Sequence, residues 1–320
     1  MASGLPQPAD CAISTVGLTK AFGARSAVRS LDLAVPRGVL SGFVGPNGAG
    51  KTTTIRMLLG LVAPTAGRGS VLGTPMSHPE RYLGGVGALI ENPAFYPNLS
   101  GRANLAVLAQ LGAIDARRVD SALERVGLRD RGGDRFHTYS LGMKQRLGIA
   151  AALLPSPELL ILDEPTNGLD PAGIAEMRVL LRSLVDDGIT VFVSSHLLAE
   201  IEQICHHLVV IRSGSMVFQG DVGELLDATR PELVATPEHA EDLQGLEDVA
   251  RALGVPIQSK NGSLRVEADE SFAGSLNRAA AGAGITLVHL AVSRPSLEAA
   301  FFALTGTDSG DGHSITSVET

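Results

Sequence analysis

Cysteine is scarce in this chain: only Cys11 and Cys205 occur, far apart and without a CxxC or Cys/His ligand spacing. That excludes a disulfide framework and a structural zinc site, and it fits a reducing compartment. A long apolar run is missing as well. The best stretch, 147–162, is broken by Pro155, Ser156, Pro157 and Glu158, and falls short of the roughly 18 to 20 residues that a membrane span needs. The chain does not open on a basic segment followed by an apolar one, so no secretory signal is read and export of the chain itself is not expected. There is no basic stripe. Net charge is −8; residues 221–320 hold 16 acidic against 6 basic residues, net −10, which leaves residues 1–220 at net +2. Such a distribution repels a phosphate backbone, and nucleic acid is a poor candidate partner.

What is present is the material of a globular chain. With 320 residues, 44% hydrophobic and 19% charged, it has room for two domains, or for one large core with an appendage, and long disorder is excluded. No internal repeat is found. Residues 13–33 read as short strands broken by turns. Residues 39–44 form a short apolar run, followed by GPNGAGKTT and then by apolar residues at helical spacing over 53–61, giving strand, glycine loop, helix. Residues 99–126 read as helices with Gly127 as a stop. A strand at 159–162, a helix at 174–184, a strand at 189–193 and a helix at 197–205 argue for a parallel sheet covered on both faces. LVVIRSGSMVFQG reads as a closing hairpin turning at Ser213-Gly214. Beyond Asp221 the order is β-α-β-β-α-β, with a hairpin at Asn261-Gly262, as in a small ferredoxin-like unit.

Gly45-Pro46-Asn47-Gly48-Ala49-Gly50-Lys51-Thr52 satisfies G-x-x-x-x-G-K-[ST] in the strand-to-helix context that a P-loop requires. Its glycines let backbone N–H groups wrap a phosphate, aided by the positive end of the following helix. Lys51 is expected to reach the β- and γ-phosphates and Thr52 to bind Mg²⁺. The strand 159–162 ends in Asp163-Glu164. Ligands gather at the carboxyl ends of parallel strands, so Asp163 is expected beside the P-loop as a Mg²⁺ contact, with Glu164 placed to orient or deprotonate water. The plainer alternative is an Asp-Glu-Pro turn at a strand end.

With these motifs in this order, residues 13–220 resemble the ATP-binding subunits of ABC transporters. The resemblance implies an α/β P-loop cassette with a parallel RecA-like core sheet, an antiparallel β subdomain and a helical subdomain at about 92–150. It implies ATP and Mg²⁺ as ligands, with Gly45 to Thr52 and Thr53 on the nucleotide. Phe22, in Lys20-Ala21-Phe22, is similar to the aromatic residue that stacks on adenine; the alternative is a core Phe. Ser140 and Gly142, in Tyr139-Ser140-Leu141-Gly142-Met143-Lys144-Gln145-Arg146, fall at the signature's serine and second glycine. Leu141 and Met143 depart from the usual form, and Ser140 read alone is an N-cap. The signature meets ATP held by a second copy, which implies a head-to-tail dimer. Asp170, in Asn167-Gly168-Leu169-Asp170, resembles the D-loop residue that acts across that dimer, and His196, after Ser194-Ser195, resembles the switch histidine. Read alone, His196 would be structural. Glu91 stands where the family usually has glutamine, which implies a Mg²⁺ and water contact; a plain surface residue is the alternative. Catalytic roles then fall to Glu164, His196 and Lys51, and metal contacts to Thr52, Glu91 and Asp163.

ALIENPAFYPNLSGRANL and YSLGMKQRLGIA are similar to the branch of bacitracin, lantibiotic and drug exporters. This implies an ATP-hydrolysing subunit at the cytoplasmic face of the membrane, working with a separate polytopic permease. The rival reading is a soluble ABC ATPase acting on ribosomes or in DNA repair, but neither a second cassette nor an internal coiled coil is found. A GTP switch would need Asn-Lys-x-Asp, which is absent. The expected division is a flexible start at 1–12, the cassette at 13–220, an α/β accessory domain at 221–305 and a disordered tail at 306–320. His206-His207 lacks a third spaced ligand and is read as surface or core rather than metal-binding.

Overall fold

The computed structural model describes residues 10–91, 94–227, 231–293, 296–298 and 300. Of the expected termini, residues 1–9 and 306–320 lie outside the described residues, as does 301–305 at the end of the expected accessory domain. The chain divides into two compact units, 1–222 and 223–320.

The first unit begins with β1 (Cys11–Phe22), β2 (Arg25–Leu31), β3 (Ala34–Pro36), β4 (Leu40–Val44), α1 (Lys51–Leu58), β5 (Ala66–Val71), β6 (Thr74–Pro75), α2 (Pro79–Tyr82) and β7 (Val86–Leu89). It continues with α3 (Gly101–Leu111), α4 (Arg117–Arg125), α5 (Leu141–Leu153), β8 (Leu159–Asp163), α6 (Pro171–Asp186), β9 (Thr190–Ser195), α7 (Leu198–Ile204), β10 (His207–Arg212) and β11 (Ser215–Asp221). The first strand starts at Cys11, inside the stretch expected to be flexible. Cys11 pairs with Pro36, and the neighbouring Ala12 is fully buried, so core packing extends the strand to that point.

Two sheets result. β2, β1, β5 and β6 form an antiparallel sheet in that order, with β3 also on β1. The second sheet has the order β11-β10-β4-β9-β8-β7, parallel throughout except for the edge strand β11. Every residue of β4, β8 and β9 is buried, as strands covered on both faces must be. Ile13, Leu18 and Leu31 of the antiparallel sheet share one core with Phe43, Ile161, Phe192 and Val209 of the parallel sheet and with Ile55 and Leu58 of α1. At its centre Phe43 and Phe192 stack with ring centroids 5.2 Å apart. The helices α3, α4 and α5 pack on one another. Buried Val119, Ala122 and Leu123 recur on α4 at i, i+3 and i+4, which gives that helix one apolar face.

The division between units falls inside α8 (Val222–Asp227). The second unit follows with β12 (Glu232–Pro237), α9 (Leu243–Ala252), β13 (Ile257–Lys260), β14 (Ser263–Glu267), α10 (Glu270–Gly282) and β15 (Leu287–Ser293). Its sheet order is β13-β14-β12-β15, with every pair antiparallel, the ferredoxin-like arrangement of β-α-β-β-α-β. Leu233 and Ala235 alternate along β12 to face Leu246 and Ala250 of α9 and Leu276 and Ala280 of α10. Asn261 and Gly262 both have positive φ, 54° and 76°, as the two-residue turn between β13 and β14 demands.

One buried group makes the fold sensitive to acid. His207 lies in β10 between Ser41 of β4 and Asp221 of β11, and its Nδ1 is buried without a hydrogen bond. Burial pushes its pKa down from 6.5 to about 4, and Asp221 offsets only part of this. The unfolded chain therefore takes up the proton first as pH falls. The stability this neutral histidine retains is complete above pH 6.5 and is lost as pH falls toward 4. Between pH 7.5 and pH 5 the loss is expected to be about 2 kcal/mol. Denaturant unfolding of His207→Leu at the two pH values should show a correspondingly smaller difference than the parent chain.

Candidate active site

The site is assembled where β4, β8 and β9 end. Register places Val44 opposite Ser195 and Asp163 opposite Ser194, so the loops that leave these three strands meet at one sheet edge. β4 runs into the P-loop, whose last glycine, Gly50, caps α1 at φ 109°. A Cβ there would lie 2.6 Å from the Ala27 carbonyl oxygen, so both space and conformation require glycine. At Gly45 a Cβ would come within 2.3 Å of Ile211 O. Gly214 N, in the β10–β11 turn, donates to Ala49 O at 2.9 Å and holds the loop from the other side.

Lys51, 6% exposed, turns back along the loop and donates to Gly45 O at 2.6 Å. Its ammonium also lies 3.1 Å from Glu164 Oε1. The second oxygen of that carboxylate, Oε2, is 2.7 Å from His196 Nδ1. One carboxylate thus bridges the P-loop lysine and the histidine that follows β9.

Glu164 adopts φ 51°, a region that side-chain-bearing residues enter only under constraint. Its N–H donates to Ser194 Oγ at 3.0 Å and to Ser194 O at 3.2 Å, and its carbonyl accepts from Asn167 N at 3.1 Å. Backbone and side chain together fix the residue in this conformation. Ser194 also donates through Oγ to Asp163 Oδ1 at 2.5 Å, and Thr52 donates through Oγ1 to Asp163 Oδ2 at 2.7 Å. Asp163 is 7% exposed. Thr52 and Asp163 therefore present two adjacent hard oxygens beside the P-loop, a donor set suited to Mg²⁺ that keeps water and substrate phosphate as its other ligands. Among the described residues no group of three or more His, Cys, Asp or Glu side chains is placed to hold a metal by itself.

Lys51, Thr52, Glu164 and His196 open onto a cleft of about 1030 Å³, lined also by Phe22 and the rest of the P-loop from Asn47 to Thr53, while Asp163 and Ser194 lie behind that lining. Phe22 is 54% exposed at the end of β1, with Lys20 Nζ 5.0 Å from its ring centroid, so the alternative of a core phenylalanine does not hold. Arg25 and Arg29 line the same cleft and were not singled out in the sequence. Both are exposed on β2, but its pairing with β1 is irregular between Ser26 and Val28, so no simple alternation in the sequence marks them. Ser194 and its double role were equally missed.

Other expected site residues lie elsewhere. Ser140 caps α5, accepting from Met143 N at 3.3 Å, and Asp170 caps α6, accepting from Gly173 N at 3.0 Å; both are exposed and neither lines the cleft. Gly142 sits in the first turn of α5, away from the cleft, beside an exposed Leu141 that packs near Gly168. Glu91, expected as a metal contact, is not a lining residue either. It is exposed at φ 62°, and its carboxylate pairs with Arg56 of α1. His207 is part of a core strand.

The hydroxyl of Ser194 serves two buried partners at once. Ser194→Ala is expected to cost about 2 kcal/mol, because Asp163 Oδ1 loses its donor, while Ser194→Thr retains most of that stability. Chemical denaturation measures both; a loss below about 0.5 kcal/mol in the alanine variant, the range of neutral surface changes, would show that Asp163 is satisfied in another way.

Comparison with known proteins agrees with this geometry. The family described as ABC transporter matches residues 28–167. The bacitracin transport ATP-binding protein BcrA of Bacillus licheniformis is 41% identical over 306 residues, covering 92% of this chain and 97% of its own length. The daunorubicin resistance ATP-binding protein DrrA3 of Streptomyces coeruleorubidus is 37% identical over 310 residues, covering 94% of this chain and 98% of its own. Among solved structures, cbiO1 from Clostridium perfringens, part of the ABC transporter complex cbiONQ, matches with a TM-score of 0.64 at 25% identity, over 77% of this chain and 98% of that one. A P-loop, a carboxylate pair at the end of β8 and a near full-length match to transport ATPases lead to one conclusion: this chain belongs to the ABC transporter ATP-binding family and is an ATP-hydrolysing P-loop enzyme.

Proposed function

We propose that the chain powers an exporter of a drug, peptide antibiotic or similar compound, acting on a separate polytopic permease at the cytoplasmic face of the membrane. The observation that carries the chemical part is the Glu164 carboxylate, which spans Lys51 and His196 within one cleft. The export part draws on relatives whose names refer to bacitracin transport and daunorubicin resistance and which match over more than nine-tenths of this chain. Among the described residues no helix is long and apolar enough to cross a membrane, and in this reading the path through the bilayer belongs to the permease.

The chemistry follows from the side chains. The P-loop amides and Lys51 bind the phosphates, and Phe22, exposed at the rim, offers its ring to the adenine. Thr52 and Asp163 would hold Mg²⁺, which when bound would offset phosphate charge. The Lys51 ammonium is divided between Glu164 and incoming phosphate oxygen, so bound nucleotide leaves a carboxylate oxygen to face water. Glu164 takes a proton from that water as its oxygen attacks the γ-phosphorus, and the bond to the ADP oxygen breaks. His196 holds the other carboxylate oxygen and fixes its orientation. Ser140, Gly142 and Asp170 lie outside the cleft of their own chain, near helix starts, and a second copy arranged head to tail would bring them to the nucleotide.

Glu164→Gln keeps the shape of the side chain and removes the base. Its ATP turnover is expected to fall about a hundredfold or more, while gel filtration with ATP and Mg²⁺ shows an accumulated dimer; turnover at the parent rate removes the assignment. For the transport role, a tagged chain drawn from its own cells in mild detergent should bring one polytopic membrane protein in near-equal amount. Recovery with ribosomes or DNA-repair factors instead would move the same ATPase to a different task.

A further inference from the structure

A second carboxylate near the site is buried, and neither the sequence reading nor the mechanism above uses it. Glu200, in the first turn of α7, is 7% exposed and accepts a hydrogen bond at 2.6 Å from the hydroxyl of Thr166, itself 8% exposed. Burying a carboxylate costs more than one hydroxyl bond returns, even with the helix N-terminus favouring the charge. Stability alone does not account for its placement.

Its position in the chain does. Thr166 lies two residues after Glu164 in the segment that leaves β8, and Glu200 four residues after His196 in the segment that leaves β9. Those segments are joined at three points: Glu164 N to Ser194, the Glu164 carboxylate to His196, and Thr166 to Glu200. The first two are made by the reacting residue itself. The third is the one that bound nucleotide and water do not disturb, because both partners are buried away from the cleft lining. It also precedes the turn closed by the Leu169 N to Thr166 O bond at 3.1 Å, which leads to Asp170.

We propose that Glu200 is a positioning residue for hydrolysis: through Thr166 it sets the spacing of the two segments and so holds the Glu164 carboxylate against His196. This rests on Glu164 being the base. A displacement of about 1 Å at the reacting group can cost about a hundredfold in rate, so loss of the clamp acts on kcat and leaves nucleotide binding alone.

The test is ATPase kinetics on the full chain, with ATP affinity and thermal unfolding measured on the same samples. Glu200→Gln keeps a carbonyl acceptor for Thr166, and Thr166→Ser keeps the donor; both should stay within about twofold of the parent kcat, well under a tenfold step. Glu200→Ala and Thr166→Val should each lose about tenfold or more in kcat with KM unchanged. Their double variant should be no slower than the slower single one, as for two halves of one contact. Parent-like kcat in Glu200→Ala, a loss confined to KM, or additive losses in the double variant would each overturn the proposal. If Glu200→Ala fails to fold, Thr166→Val decides: a loss of about tenfold in kcat with KM unchanged supports the clamp, and a parent-like rate overturns it. Glu164→Gln is run alongside. Loss of turnover there with a parent-like Glu200→Ala defeats the clamp alone, whereas parent-like turnover in both also defeats Glu164 as the base.

Discussion

A carboxylate buried at the end of β8 has to be satisfied, and much of the site can be understood as the answer to that requirement. Asp163 ends β8, a strand that like β4 and β9 has every residue buried, where an unsatisfied charge is costly. Two hydroxyls meet it, Thr52 from the start of α1 and Ser194 from the end of β9. Ser194 in turn accepts the Glu164 N–H and so helps to hold a backbone conformation that glutamate would not choose unaided. The order of the strands, the phosphate loop and the bent segment that carries Glu164 are thus tied through one side chain.

Much of this was legible in the sequence because it is local. The P-loop, the Asp163-Glu164 pair and the strand-helix alternation are written in contiguous residues whose chemistry follows from type and spacing. The β-α-β-β-α-β order beyond Asp221 was legible for the same reason, since its hairpin turn and its helical periodicities are short-range signals. What could not be read were contacts between residues far apart in the chain. Thr166 and Glu200 are 34 positions apart, and nothing in either neighbourhood indicates the other. The same holds for Glu91, whose pairing with Arg56, 35 residues earlier, is not written in the motif that contains it.

The departures from the usual signature have a physical reading as well. Leu141 stands where a glycine is common and remains exposed, packing near Gly168 in the segment before Asp170. The start of α5 and the segment leading to α6 are therefore in contact through an apolar side chain, in addition to the cap that each helix carries. Ser140 and Asp170 are caps whatever else they do, because each satisfies amide groups that a helix start leaves open.

The Ala27 carbonyl of β2 is crowded by the backbone of Gly50 on one side and of Gly214 on the other, with Arg29 N bonded to Gly214 O at 2.7 Å and Gly214 N to Ala49 O at 2.9 Å. Loop, hairpin and antiparallel sheet are locked together there like the stones of an arch, with no slack for even one methyl group. The phosphate cradle is accordingly braced from two sides, so a side chain placed at either glycine would have to push the Ala27 carbonyl, and with it β2, out of position.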